Sequence, residues 1–149
     1  MSSTRAGPTT LVALADGTLA GTARLHLADT YPIPLPARSV GVRAVAVAPA
    51  RRRSGVARAL MAACAERART GGAAALYLHT APFMAAATAL YEGLGYRRDP
   101  VTDIDIGAHF AVAPPGHAII RAYRLGLART CCTGTVKLRN EGDTVDLST

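Results

Sequence analysis

Arg51, Arg52 and Arg53 stand directly ahead of Ser54-Gly55-Val56-Ala57-Arg58, and residues of these types in this order suit phosphate binding. The guanidiniums supply positive charge. Gly55 lets the backbone approach an anion with no side chain in the way, and a helix starting just beyond it aims unpaired first-turn N–H groups at the same spot. Ala57 keeps that first turn small. Taken alone, the same residues also fit a solvated charge run ahead of an ordinary amphipathic helix, because short glycine motifs recur by chance.

A phosphate loop needs a strand before it and a helix after it. Val45-Ala46-Val47-Ala48 is apolar and stops at Pro49, so residues 40–48 read as a strand. Residues 56–70 have the alanine-rich composition of a helix, with Ser54 as its expected N-cap and Gly71-Gly72 as its stop. Upstream, residues 10–15 and 18–27 read as two strands joined at Asp16-Gly17, a favoured hairpin turn. Pro32, Pro34 and Pro36 then make residues 29–39 an exposed loop. Downstream come a short apolar strand at 74–80, a helix at 83–94 opened by Pro82 and stopped by Gly95, and a strand at 96–98. A polar loop at 99–117 and a last core strand at 118–127 complete the series. The order β-β-β-α-β-α-β-β predicts a mixed sheet with helices packed on it.

At 149 residues the chain fits one domain, expected over 1–127 with its core at 10–127. Half of the residues are hydrophobic but only 5% are aromatic, so the core must rest on alanine, valine and leucine. In the tail, 128–149, segments 135–138 and 144–147 flank a turn at 140–143 and predict a small hairpin. An isolated hairpin is marginal, so this one is expected to be loosely attached or disordered. No apolar stretch approaches the roughly 18 residues of a membrane span, and the first residues lack the hydrophobic block of a signal peptide. A cytoplasmic protein is expected.

All but one (Lys137) of the 17 lysines and arginines are arginine, which with the abundant alanine suggests a GC-rich bacterial genome. The net charge of +7 admits a nucleic-acid binder, but no helix carries a continuous basic face interleaved with aromatics. Cys64 and the adjacent Cys131-Cys132 show neither metal spacing nor a paired framework. Cys64 sits where helix packing wants a small apolar residue.

Arg52-x-x-Gly55-x-Ala57 matches the Arg/Gln-x-x-Gly-x-Gly/Ala signature of the GNAT superfamily of N-acetyltransferases. Ala87, Leu90, Tyr91, Gly95 and Tyr96 resemble the same superfamily's later Ala-x-x-Leu-Tyr helix ending in Gly-Phe/Tyr. Together the motifs cover residues 40–98. The resemblance implies an α/β (α+β) fold, a mixed and mostly antiparallel sheet flanked by helices. It implies acetyl-CoA as acyl donor, with Val45, Val47, Arg52, Arg53, Ser54, Gly55, Val56, Ala57 and Arg58 contacting it, and no metal. It further implies direct attack by a primary amine, on a small molecule or a peptide, in a ternary complex.

By the same resemblance Tyr91 protonates the departing CoA thiolate, a task suited to a phenol that stays neutral at pH 7. As an alternative, Tyr91 is a packing residue, like Leu90 and Leu94 on one helical stripe. Ribosomal-protein acetyltransferases, which this region resembles, have a glutamate base at the position that His79 takes here. An imidazole is a chemically suitable base, although a histidine at a strand end also serves structural roles. Asp103, Asp105 and His109 in the following loop could reach the same pocket, whereas His26 and His117 carry no comparable argument.

Two departures stand out. The superfamily often places an asparagine seven residues before the tyrosine, where this chain has Met84. It also usually opens with a strand and two helices before the hairpin, which here begins about ten residues in. A late start of the coding frame, or a homodimer whose partner supplies the missing wall, would account for that. Three functions therefore stay open: an active amine acetyltransferase, a catalytically weak acyl-CoA-binding module, and a small basic nucleic-acid-binding protein.

Overall fold

A computed structural model of the chain describes residues 7–111, 118–127, 138 and 143–147. Strands β1 (Thr9–Ala15) and β2 (Thr18–Leu27) form the predicted hairpin. Asp16 (φ 52°) and Gly17 (φ 72°) both adopt positive φ, the two-residue turn whose twist matches that of antiparallel strands. Strand β3 (Ser39–Val47) returns antiparallel to β2, and helix α1 (Val56–Thr70) then crosses to β4 (Ala75–Thr80), parallel to β3. Helix α2 (Ala85–Gly93) follows, then β5 (Arg97–Arg98), β6 (Ile104–Asp105), the short α3 (Ile106–Phe110) and β7 (Ile119–Gly126). Strand β8 (Asp143–Asp146) closes the series.

The sheet runs β5-β7-β4-β3-β2-β1-β8, with β6 pairing β7. Among the described residues five strand pairs are antiparallel; β3–β4 and β1–β8 are parallel. This is the mixed sheet that the order of elements predicts, mostly antiparallel as the resemblance implies. One face carries the core: Leu11, Ala13, Ala23, Leu25, Val40, Val42, Leu76, Leu78 and Tyr123 cluster with Val56, Leu60, Met61, Cys64 and Ala68 of α1. The helical positions recur every three to four residues, the period that keeps side chains on one stripe. Cys64 is fully buried there, and burial pushes its thiol up to about 12. Gly21 lets α1 come close: a Cβ on it would lie 2.7 Å from the Ala46 carbonyl and 2.9 Å from Val56 Cγ1.

Several local expectations are corrected. Gly55, not Ser54, takes the N-cap position of α1, while the Ser54 hydroxyl turns back to donate to the Arg51 carbonyl. The second helix covers Ala85–Gly93, within the expected 83–94. The loop expected over 99–117 holds a 3-10 turn at Pro100–Thr102, β6 and α3, the last capped by the Asp105 carboxylate accepting from Ala108 N at 3.2 Å. In the tail, β8 pairs in parallel with β1, and Leu138 and Leu147 join the core. The rest of the hairpin expected at 135–138 lies outside the described residues, as do Cys131, Cys132 and His117. No helix among the described residues is long and apolar enough to cross a membrane.

Candidate functional site

Strands β3 and β4 pair only from Ser39 to Val42 and from Ala75 to Leu78. Beyond that point β3 runs on to Val47 through an irregularity at Ala44, whose φ of 53° is left-handed. Such a bulge adds twist and turns a strand away from its neighbour. The two strands part, and among the described residues no strand pairs the β4-facing edge of β3 at Val45 and Val47, both half-buried.

Beside the parting lies the phosphate cradle. Ala48 N donates to the Ala20 carbonyl at 2.8 Å, tying the exit of β3 to β2, and a 3-10 turn at Pro49–Arg51 leads to the loop. Arg53 (φ 63°) and Gly55 (φ 85°) both adopt left-handed backbone, which glycine tolerates without cost and other residues do not. A Cβ on Gly55 would meet nothing within 4 Å, so the glycine answers to its dihedral angles and to the open space before it. Among the described residues no side chain caps α1, and the N–H groups of Val56, Ala57 and Arg58 have no acceptor. Arg52, Arg53, Ser54 and Arg58 are exposed around this end. Val56 is buried in the core, so only its N–H faces the cradle.

The second motif converges on the first. Arg58 Nη2 lies 4.0 Å from the Cβ position of Gly93, bringing the first turn of α1 to the last turn of α2. Tyr91, two residues earlier, is half-buried against the core with its ring 6.0 Å from that of Tyr96. Burial raises the pKa of its phenol, so its proton is held until a strong base arrives. Leu94 packs on the core as the helical stripe predicts, and Leu90 is half-buried. Met84 is exposed at the N-cap of α2.

His79 is the first residue of β4 beyond the last pair with β3. Its Nε2 lies 3.0 Å from the Thr102 carbonyl oxygen and its Nδ1 3.0 Å from Tyr31 Oη. A carbonyl only accepts, so Nε2 carries the proton and Nδ1 accepts from the Tyr31 hydroxyl. Burial lowers the pKa of His79, against the opposing effects of the Thr102 bond and the Asp103 and Asp99 charges.

Thr102 is itself held in place. Its hydroxyl donates to Asp99 Oδ2 at 3.0 Å, which also accepts from Tyr77 Oη at 2.9 Å. Asp103 beside it takes both Arg98 Nη1 (2.6 Å) and Nη2 (2.7 Å), and Ala122 N at 2.8 Å. The Arg98 bonds hold the Asp103 carboxyl below its ordinary range.

Sequence reasoning missed Tyr31: the loop expected to be exposed over 29–39 buries Tyr31, and Ser39, also buried, already belongs to β3. Tyr31 follows β2 at the head of the proline run, its backbone N donating to the Leu27 carbonyl at 3.0 Å, and its ring lies over Gly41. That glycine in mid-strand was the available signal, since glycine there often marks a close approach.

The proline run and the 101–109 segment flank an open cavity of about 570 Å³ whose walls include Ile33, Leu35, Val101, Ile104, Asp103 and His109. Asp103, Asp105 and His109 all reach it, but Asp103 is tied to Arg98 and Asp105 caps α3. Among the described residues no group of side chains could hold a metal ion.

Residues 2–96 match the family model described as the acetyltransferase (GNAT) family. No curated protein shows a matching sequence. Solved structures share the fold of the chain. An acetyltransferase of the GNAT family from Desulfovibrio desulfuricans is 25% identical with a TM-score of 0.58, over 76% of this chain and 64% of that one. Ribosomal-protein-alanine N-acetyltransferase from Brucella melitensis is 22% identical with a TM-score of 0.61, over 78% and 67%. An acetyltransferase from Salmonella typhimurium, solved with its cofactor acetyl-CoA, is 20% identical with a TM-score of 0.60, over 80% and 64%. The chain thus spans less than two thirds of the length of the Desulfovibrio protein.

Proposed function

The chain belongs to the acetyltransferase (GNAT) family, and from that we propose that it moves an acetyl group from acetyl-CoA to a primary amine by direct attack in a ternary complex. The observation that carries this reading is the convergence of the two motifs. The uncapped N-terminus of α1, with Gly55 at φ 85°, lies beside the last turn of α2, which carries Tyr91. The pyrophosphate of acetyl-CoA would take the N–H groups of residues 56–58 and the charge of Arg52, Arg53 and Arg58. Its pantetheine arm would lie along the unpaired edge of β3 at Val45 and Val47, bringing the thioester to the parting of β3 and β4. That the Salmonella typhimurium neighbour holds acetyl-CoA in the same fold supports the assignment.

Tyr91 would then protonate the thiolate as the tetrahedral intermediate collapses. A buried, protonated phenol is suited to this, because it gives up its proton only to the strong base that C–S cleavage creates. The acceptor would enter through the largely apolar cavity between the proline run and residues 101–109, whose wall at Thr102 touches His79.

Calorimetric titration with acetyl-CoA, followed by acetyl transfer to a panel of amines and N-terminal peptides, tests the proposal. One-to-one binding with turnover is expected. Binding without turnover on any amine would leave an acyl-CoA-binding module, and absence of binding by the folded chain would overturn the reading.

A further inference from the structure

Resting on that reading, we propose that Tyr31 is the catalytic residue that accepts the proton of the amine, passing its own proton to His79. Among the described residues, the imidazole is reached through the two groups bonded to it. Both ring nitrogens of His79 are engaged, Nε2 donating to the Thr102 carbonyl and Nδ1 accepting from Tyr31 Oη, each at 3.0 Å. An amine cannot reach Nδ1 without displacing the phenol. Tyr31 Oη, having spent its hydrogen on Nδ1, keeps lone pairs free to accept an N–H bond. His79 therefore stores the proton and Tyr31 touches the substrate.

The hydroxyl also stands in the right place. His79 and Arg43 are the first residues beyond the last parallel pair, Val42 and Leu78, so the Tyr31–His79 bond sits where β3 and β4 part. Arg43 on β3 is near enough to Tyr31 for its guanidinium to act on the phenol. Burial pushes Tyr31 up to about 12 against the pull of the Arg43 guanidinium, so the phenol stays protonated and relays by losing one proton as it gains another. His26 on β2 meets the Tyr31 ring edge-on at 6.0 Å. On the other side of His79, Asp99 and Asp103 favour the imidazolium that forms. The phenol does not need to reorient, because Gly41 admits the ring against β3 and the Tyr31 backbone is bonded to Leu27.

The step balances. The amine lone pair forms the C–N bond to the acetyl carbonyl carbon, giving a tetrahedral intermediate with positive nitrogen. That nitrogen's proton moves to Tyr31 Oη as the Tyr31 proton moves to His79 Nδ1. The C–S bond breaks, its electron pair stays on sulfur, and Tyr91 protonates the thiolate. His79 then releases its proton to water and Tyr91 regains one, so neither residue is changed.

The test compares wild type, Tyr31→Phe and His79→Gln at saturating acetyl-CoA on the amine panel, with acetyl-CoA affinity measured alongside. Tyr31→Phe keeps the ring packing and loses the hydroxyl. Its kcat should fall about 100-fold or more with acetyl-CoA affinity unchanged. Wild type should show an acid limb in kcat/KM below the ordinary imidazole value of 6.5, and this limb should vanish in both variants, because the amine no longer communicates with a titrating imidazole. Wild-type kcat or a surviving limb in Tyr31→Phe, in an enzyme that does acetylate amines, would overturn the relay alone. Failure of wild type to acetylate any amine would overturn the proposed function and the relay with it. Nitrogen-15 NMR of wild-type His79 checks the relay without turnover: protonated Nε2 and bare Nδ1 are expected, and the opposite tautomer would exclude it.

Discussion

The Tyr31 ring occupies the space that a side chain at residue 41 would need: a Cβ on Gly41 would lie 2.1 Å from Tyr31 Cδ2 and 2.3 Å from Cε2. Gly41 pairs with His26 on β2 and with Tyr77 on β4, so the ring lies on the sheet face opposite the core. A single methyl group must therefore push the phenol outward and break its bond to His79. Gly41→Ala should destabilise the fold by about 1–3 kcal/mol, the usual cost of overpacking. Urea unfolding measures that loss, and the His79 Nδ1 chemical shift should move with it. An alanine variant as stable as wild type with an unmoved shift would show that the ring does not sit there in solution.

Gly55 and Gly72 make a controlled pair. Both adopt positive φ (85° and 87°), and a Cβ on either would meet nothing within 4 Å. Alanine at each should carry a similar backbone cost of about 1–2 kcal/mol. Only Gly55 faces the cradle. Gly55→Ala should therefore weaken acetyl-CoA binding several-fold, and Gly55→Val, with a β-branched side chain at positive φ, should abolish it. Gly72→Ala should bind as wild type does. Calorimetry on the three variants decides, and equal affinities throughout would remove Gly55 from the site.

What could be read from the sequence divides by range along the chain. The cradle was legible because the strand exit, Arg52, Gly55 and the start of α1 lie within a few residues, and local chemistry dictates their arrangement. The hairpin turn at Asp16-Gly17 and the limits of α1 were legible for the same reason. The Tyr31–His79 bond spans 48 positions and joins a loop to a strand end, so no periodicity announces it. Helix α3 has five residues, too few for a helical pattern, and its one signal is the Asp105 cap. Strand β8 joins the sheet by parallel pairing with the first strand, a contact between opposite ends of the chain. Ser54 misled because its type suits an N-cap, whereas the loop needs left-handed backbone at the next residue and so gives that position to Gly55.

Tyr91→Phe separates the acid from the packing residue. The phenylalanine ring keeps the contacts with Tyr96 and the core, so stability and acetyl-CoA affinity should stay near wild type. Turnover should fall 10-fold or more (roughly 1.4 kcal/mol on the barrier) because the thiolate must leave unprotonated. Single-turnover kinetics with a good amine acceptor reads the chemical step directly. An unchanged rate would return Tyr91 to a packing role.

Two histidines, His26 buried and His79 half-buried, set how the fold responds to acid. The His26 nitrogens are buried and have no hydrogen-bond partner among the described residues; burial lowers its pKa, and so do Arg43 and Arg24. The Thr30 backbone lies near enough to favour the charged form, though not in hydrogen-bond geometry. Burial also lowers His79. The unfolded chain therefore takes up protons near the ordinary value of 6.5 while the folded chain still resists them. Stability from this source is complete above about 6.5 and is lost as pH falls through the lower folded values. Asp103 acts in a different window: the Arg98 bonds lower its pKa from 3.8, so its contribution persists until the pH drops below that value. Melting temperatures should thus decline between pH 7 and pH 5. His26→Phe should flatten that decline, since an apolar ring fills the site without a proton to gain. Asp103→Asn should lower the whole curve and steepen its decline there, because the lost charge favours the His79 imidazolium. A His26→Phe curve with the wild-type slope would assign the acid sensitivity to His79 alone.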